Sequence, residues 1–89
     1  MIVKCLYRRN LKMTPGKLAA QVAHAVIPLS LEFGTVCDRI IVLEASNKKF
    51  DEQIELLRKE DAYYHVQVDA GFTELEKGTP TVVAWIKRT

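Results

Sequence analysis

Ile2-Val-Lys-Cys-Leu-Tyr-Arg8 is followed, after Arg9-Asn-Leu-Lys-Met13, by Thr14-Pro-Gly-Lys17-Leu-Ala-Ala-Gln21-Val-Ala-His24-Ala-Val26. The first run is rich in β-branched and aromatic residues and reads as a strand. The second changes period. Leu18, Val22, Ala25, Val26 and Leu29 recur at helical spacing, Thr14 is a helix N-cap, and Pro15 fits the first helical position. Ala19, Ala20 and Ala23 are small enough to let the helix lie close to a sheet. A strand that hands over to a helix in so few residues opens an α/β fold. Pro28 lacks an N–H and crowds the preceding turn, so a kink or a stop is expected there. Gly34 is a stop for whatever continues.

Downstream the alternation repeats. Arg39-Ile-Ile-Val-Leu-Glu44 is nearly all apolar and reads as a strand covered on both faces. Ser46 or Asn47 caps a second helix, with Phe50, Ile54 and Leu57 on one face. Tyr63 to Val68 alternates as a third strand, Gly71 to Pro80 is a loop, and Thr81-Val-Val-Ala-Trp-Ile86 is a fourth strand beside the third. The order β-α-β-α-β-β predicts a single-domain three-layer α/β sandwich spanning residues 1–89. Its four-stranded sheet is mixed but mostly parallel, with the last strand reversed and helices on its faces.

The chain has 89 residues, 48% hydrophobic and 27% charged. At this length roughly 60–65% of the unfolded surface is buried, enough for one modest core. Two domains, or an enzyme with a deep enclosed cleft, are excluded. No apolar run reaches the roughly 20 residues a bilayer needs, and Met1-Ile-Val-Lys4 has no signal-peptide core. Cys5 and Cys37 lack metal or disulfide spacing, so both thiols are expected free and mostly buried, in a reducing cytoplasm. Charge is unevenly placed. Residues 1–31 hold Lys4, Arg8, Arg9, Lys12 and Lys17 and no acid, whereas the remainder holds 8 basic and 11 acidic residues. That +5 against −3 suggests an anionic partner.

Three features could carry chemistry. Lys17, Gln21 and His24 lie at i, i+4 and i+7, a polar stripe on an otherwise apolar helix; a solvated face is the bland alternative. Thr14-Pro-Gly-Lys17 sits at a helix N-terminus, whose free N–H groups attract anions. It is not a Walker A loop, because Leu18 stands where Ser or Thr is needed. Asp69-Ala-Gly71 ends a strand, where open α/β sheets bind ligands, although turn acids are often structural. Thr73, Thr79 and Thr81 surround the same loop. His65 is more simply a structural strand residue, and the two His and two Cys form no metal constellation.

Two segments together resemble the archaeal and eukaryotic type (class II) of peptidyl-tRNA hydrolases. Arg8-Arg-Asn-Leu-Lys-Met13-Thr-Pro-Gly-Lys17-Leu-Ala-Ala-Gln21-Val-Ala-His24-Ala25 is similar to R-x-D-L-x-M-x-x-G-K-x-A-A-Q-x-A-H-A. Val68-Asp69-Ala-Gly71-Phe-Thr73-Glu-Leu-Glu-Lys-Gly78-Thr79-Pro-Thr81-Val-Val is similar to D-A-G-[RK]-T-Q-[IV]-x-x-G-[ST]-x-T-V. The resemblance implies hydrolysis of the ester between peptide and tRNA, with no metal or organic cofactor, a peptidyl-tRNA partner bound at its acceptor end and no membrane, and it suggests a homodimer. Carried over by position, it gives Lys17, Asp69, His24 and Thr73 catalytic roles. Gln21, Thr79 and Thr81 fall around the same pocket, and Arg8 and Lys12 fall on the side that receives tRNA. Asn10 stands where the family has Asp, Phe72 replaces a basic residue and Glu74 replaces Gln. The family also continues past the last strand, and the stretch between the first helix and Asp69 is short, so this reads as a small, divergent member. A non-catalytic tRNA- or protein-binding module on the same fold is the alternative. Phe72 and Glu74 favour the module, and the intact Lys17, Gln21, His24, Asp69 and Thr81 favour the enzyme.

Overall fold

A computed structural model describes residues 1–69 and 78–87. The elements are β1 (Ile2–Arg8), α1 (Pro15–Phe33), β2 (Arg39–Ala45), α2 (Asn47–Lys59), β3 (Tyr64–Val68) and β4 (Pro80–Ile86). The sheet order is β2-β1-β4-β3. β1 pairs with β2 in parallel, and β4 runs antiparallel to both β1 and β3. Three strands therefore point one way and β4 alone is reversed, which is the expected mixed sheet. β4 is inserted between β1 and β3, so both it and β1 are interior strands.

Strand alternation splits the core into two layers. Val3 and Cys5 of β1 and Val82 and Ala84 of β4 pack with Ala25, Val26 and Leu29 of α1. Val83 of β4 packs with Ala45, Phe50 and Leu57 on the α2 side, with Leu6 and Trp85 against them. Phe50 is wholly enclosed, and burying a side chain of that size contributes about 1.5–3 kcal/mol. Cys5 lies in the α1 layer, where burial, and secondarily Cys37, push its thiol up to about 11. It is a small core residue with no thiolate at neutral pH. Both cysteines are free, Cys5 buried and Cys37 only half-buried.

One expectation is corrected, and for Pro28 one of the two expected outcomes is excluded. β2 is not covered on both faces. It is an edge strand, and Ile40, Val42 and Leu43 are about 40–50% exposed (48%, 39% and 50%). α1 lies over β3 and β4, which leaves the outer strand uncovered on that side. Nor does Pro28 stop α1, which continues to Phe33. Pro28 costs the helix one N–H bond, and the turn around it is held by the buried Val26 and Leu29. The helix ends instead at Gly34, whose φ of 69° is left-handed and whose N–H returns to the Ser30 carbonyl. Glycine takes that conformation without the Cβ penalty of other residues. No helix among the described residues is long and apolar enough to cross a membrane.

Candidate functional site

The three parallel strands finish at the same end of the sheet, and there α1 and α2 begin and β4 enters. Thr14 caps α1, its side-chain oxygen accepting the Lys17 N–H at 3.2 Å, and Pro15 occupies the first turn. Lys17 is thus held in the first turn of the helix. Helical side chains lean toward the N-terminus, so the Lys17 ammonium reaches back to the strand ends. A cation at the positive end of a helix dipole is unfavourable by itself. Asp69, the residue after β3, answers it. The Lys17 Nζ donates to Asp69 Oδ1 in an ion pair whose side chains are only 10% and 0% exposed. Pairs of this kind cost desolvation on both sides and add little net stability, so burial of this one points to chemistry more than to folding.

Asp69 is fixed by its backbone. Its N–H donates to the Thr79 carbonyl at 2.8 Å, and its own carbonyl accepts from Gly78 N–H at 2.7 Å. The start of β4 is therefore tied to the end of β3 at the acid itself. One turn up α1 from Lys17, the buried Gln21 accepts at Oε1 from the Thr81 hydroxyl at 2.6 Å. That hydroxyl also lies 3.2 Å from the Gln67 carbonyl.

Thr81 reaches α1 through an irregularity. Val82 faces the α1 layer, so simple alternation would turn Thr81 to the other face. Gln67 pairs with Val82 but Val68 with Pro80, which leaves Thr81 as the extra residue of a β-bulge. Bulges re-aim side chains beside sites, and this one brings Thr81 to Gln21.

The other candidate residues are placed differently. His24 is exposed on the same side of α1, beyond Gln21, with no hydrogen bond among the described residues. Lys12 is exposed in the connection that leads into α1. Thr79 contributes its backbone to Asp69. Thr73, with Gly71, Phe72 and Glu74, lies outside the described residues. Arg8 belongs to the opposite face. Its Nε donates to Asn47 Oδ1 at 2.8 Å and its guanidinium lies 5.6 Å from the centre of the Phe50 ring. It ties β1 to the start of α2 and is not turned toward Lys17. Arg9 is held by Glu44 at 2.8 Å. The sequence reading gave Gln67 no role, yet its carbonyl borders the Thr81 hydroxyl. The bulge that puts it there leaves no mark in the residue pattern. Among the described residues no three His, Cys, Asp or Glu side chains come together as metal ligands.

Comparison with known proteins gives the family. The family described as "Peptidyl-tRNA hydrolase PTH2" matches residues 1–86. The chain belongs to the PTH2 family. A peptidyl-tRNA hydrolase of Haloquadratum walsbyi is 40% identical over 86 residues, covering 86% of this chain and 77% of the relative. One from Staphylothermus marinus is 32% identical over 90 residues, covering 88% of this chain and 74% of the relative. Within this PTH2 chain, Lys17, Gln21, Asp69 and Thr81 are joined in two hydrogen-bonded pairs at one end of the sheet.

Proposed function

We propose that this chain hydrolyses the ester joining a peptide's C-terminal carboxyl to the 3′ ribose of tRNA, releasing free peptide and tRNA in the cytoplasm. The observation that carries the reading is the buried Lys17–Asp69 pair at the N-terminus of α1. Names of similar proteins supply the reaction class, and the pair supplies a means.

Ester hydrolysis needs a water delivered to the carbonyl carbon and a donor for the oxygen that becomes negative. Lys17 is the donor, and the N–H groups at the start of α1 add to the positive field. Asp69 holds the ammonium in position. Asp69 positions the water at the mouth, a task to which the resemblance adds His24 and Thr73. The water oxygen bonds to the carbonyl carbon as it gives up a proton to the groups that position it, and the carbonyl oxygen becomes negative. The carbonyl re-forms as the bond to the ribose oxygen breaks, and that oxygen takes up the proton the water released and leaves as the tRNA hydroxyl. Gln21 and Thr81 form a fixed polar floor, Thr79 keeps Asp69 in place, and Lys12 meets phosphate at the approach. Arg8 contributes by holding the start of α2. The resemblance also motivates a homodimer, which sedimentation would detect.

The test is turnover of a model peptidyl-tRNA by the wild type, Lys17→Ala and Asp69→Asn, with thermal melts to confirm folding. Loss of one donor to a developing oxyanion costs about 10²–10³ in rate. Lys17→Ala is expected to lose at least that much while tRNA binding weakens only modestly. Turnover close to wild type in folded Lys17→Ala would remove Lys17 from this role. Undiminished tRNA binding with no turnover in the wild type would favour the binding-module reading.

A further inference from the structure

We propose that the peptide moiety of the substrate binds as an added strand along the outer edge of β3, parallel to it, with its esterified C-terminus at the Lys17–Asp69 pair. The inference rests on the peptidyl-tRNA reading above and assigns the site of the peptide half.

Among the described residues β3 ends the sheet order, so only one of its sides is paired. Tyr63 accepts from Ile86 N–H at 3.1 Å and Asp69 donates to Thr79 at 2.8 Å. Residues 63, 65 and 67 therefore turn their N–H and C=O groups to β4. Those of Tyr64, Val66 and Val68 point outward. Among the described residues one group meets this outer row: Gln67 Nε2 donates to the Val68 carbonyl at 3.1 Å, a side chain able to swing aside.

Among the described residues the edge is also undefended. Exposed edges are usually blunted by charges or proline. β2, at the other edge, carries Arg39 and Glu44, whereas Tyr64-His-Val-Gln-Val68 carries neither a charged residue nor a proline, and the Val68 side chain is 46% exposed. Such an edge is a template for strand addition.

Position and direction select the occupant. β3 runs directly into Asp69, so a chain lying parallel to it brings its last carbonyl to the level of the ion pair. Five strand residues span about 16 Å, room for a peptide of four or five residues. Main-chain pairing places no demand on the side chains of the peptide.

The test compares N-acetyl-aminoacyl-tRNA with tetrapeptidyl-tRNA, and with tetrapeptidyl-tRNAs N-methylated at one amide at a time. The expected kcat/KM is about tenfold higher for the tetrapeptide, the worth of one or two net hydrogen bonds. Methylation should remove that gain at alternate amides only. Val66→Pro deletes an outward donor and leaves the β4 ladder intact; it should bring the ratio of the two substrates close to one. If Val66→Pro fails to fold, the methylated substrates still decide the matter on the unaltered protein. Equal hydrolysis of both substrates, or methylation without a period of two, would overturn the proposal. So would a dimer that Val66→Pro dissociates with the ratio unchanged, since the edge would then serve a second copy. Turnover of neither substrate would instead defeat the peptidyl-tRNA reading itself, and this inference with it.

Discussion

Thr81 and Gln21 illustrate what one hydrogen bond does at this site. The hydroxyl donates to a buried amide oxygen at 2.6 Å, and the Gln21 side chain has little access to water. Thr81→Val keeps the shape and removes the donor, leaving a buried acceptor unsatisfied. That should cost about 1–3 kcal/mol, read as a lower urea midpoint with an unchanged slope. Pairing Thr81→Val with Gln21→Leu should recover part of the loss, because the orphaned carbonyl goes too. A double mutant whose loss equals the sum of the two singles would show that the two groups do not interact. The resemblance marks Gln21 and Thr81 as neighbours of one pocket. Their bond, across 60 residues of chain, depends on the bulge and is not written in either segment. The same holds for Lys17 and Asp69. Their separate positions were legible as a helix N-terminus and a strand end, and their contact required the strand order.

At the scale of elements, local signals were readable where they act locally. The Thr14 and Ser46 caps lie where side-chain oxygens can meet backbone N–H groups three residues on, and Phe50, Ile54 and Leu57 face the core. β2 was misread because an apolar run records what a strand can bury and not what lies above it. With β4 inserted between β1 and β3, β2 becomes an edge. Of the kink and the stop expected at Pro28, the stop fails for a related reason. Its local penalty is real, but α1 is held by the α1-side core. The lost helical bond can therefore be regained. Pro28→Ala restores the N–H and relieves the ring's crowding of the preceding turn, for which interior prolines cost helices about 3 kcal/mol. Because α1 already accommodates the ring, a smaller gain of about 1–2 kcal/mol is expected in chemical denaturation. Lower stability in Pro28→Ala would mean that the ring's packing outweighs its backbone penalty.

At the scale of the whole molecule, the acid-free stretch does not form one basic wall. Lys4 lines a groove of about 540 Å³ with Trp85 and Lys87 on the α2 face. Arg8 is engaged with Asn47 and Phe50, and Arg9 with Glu44. Lys12 and Lys17 remain at the mouth of α1, and the exposed Lys48 and Lys49 stand at the start of α2, at the same end of the sheet. A polyanion approaching that end meets about three ammonium groups besides the one committed to Asp69. Each phosphate contact on a duplex contributes a slope of about −0.9 to log affinity against log salt. Three contacts give about −2.7, so a fourfold rise in salt should weaken tRNA binding about 40-fold. Lys12→Ala should flatten the slope by about one unit and raise KM more than it lowers kcat, since it removes a phosphate contact and not a group at the ester. Arg9→Gln, whose charge is already answered by Glu44, should change the slope less. A titration of tRNA binding between 50 and 200 mM salt for the three proteins distinguishes these outcomes. A flat profile in the wild type would mean that this end of the sheet does not meet the phosphate backbone, leaving tRNA to be held by contacts at its 3′ end alone.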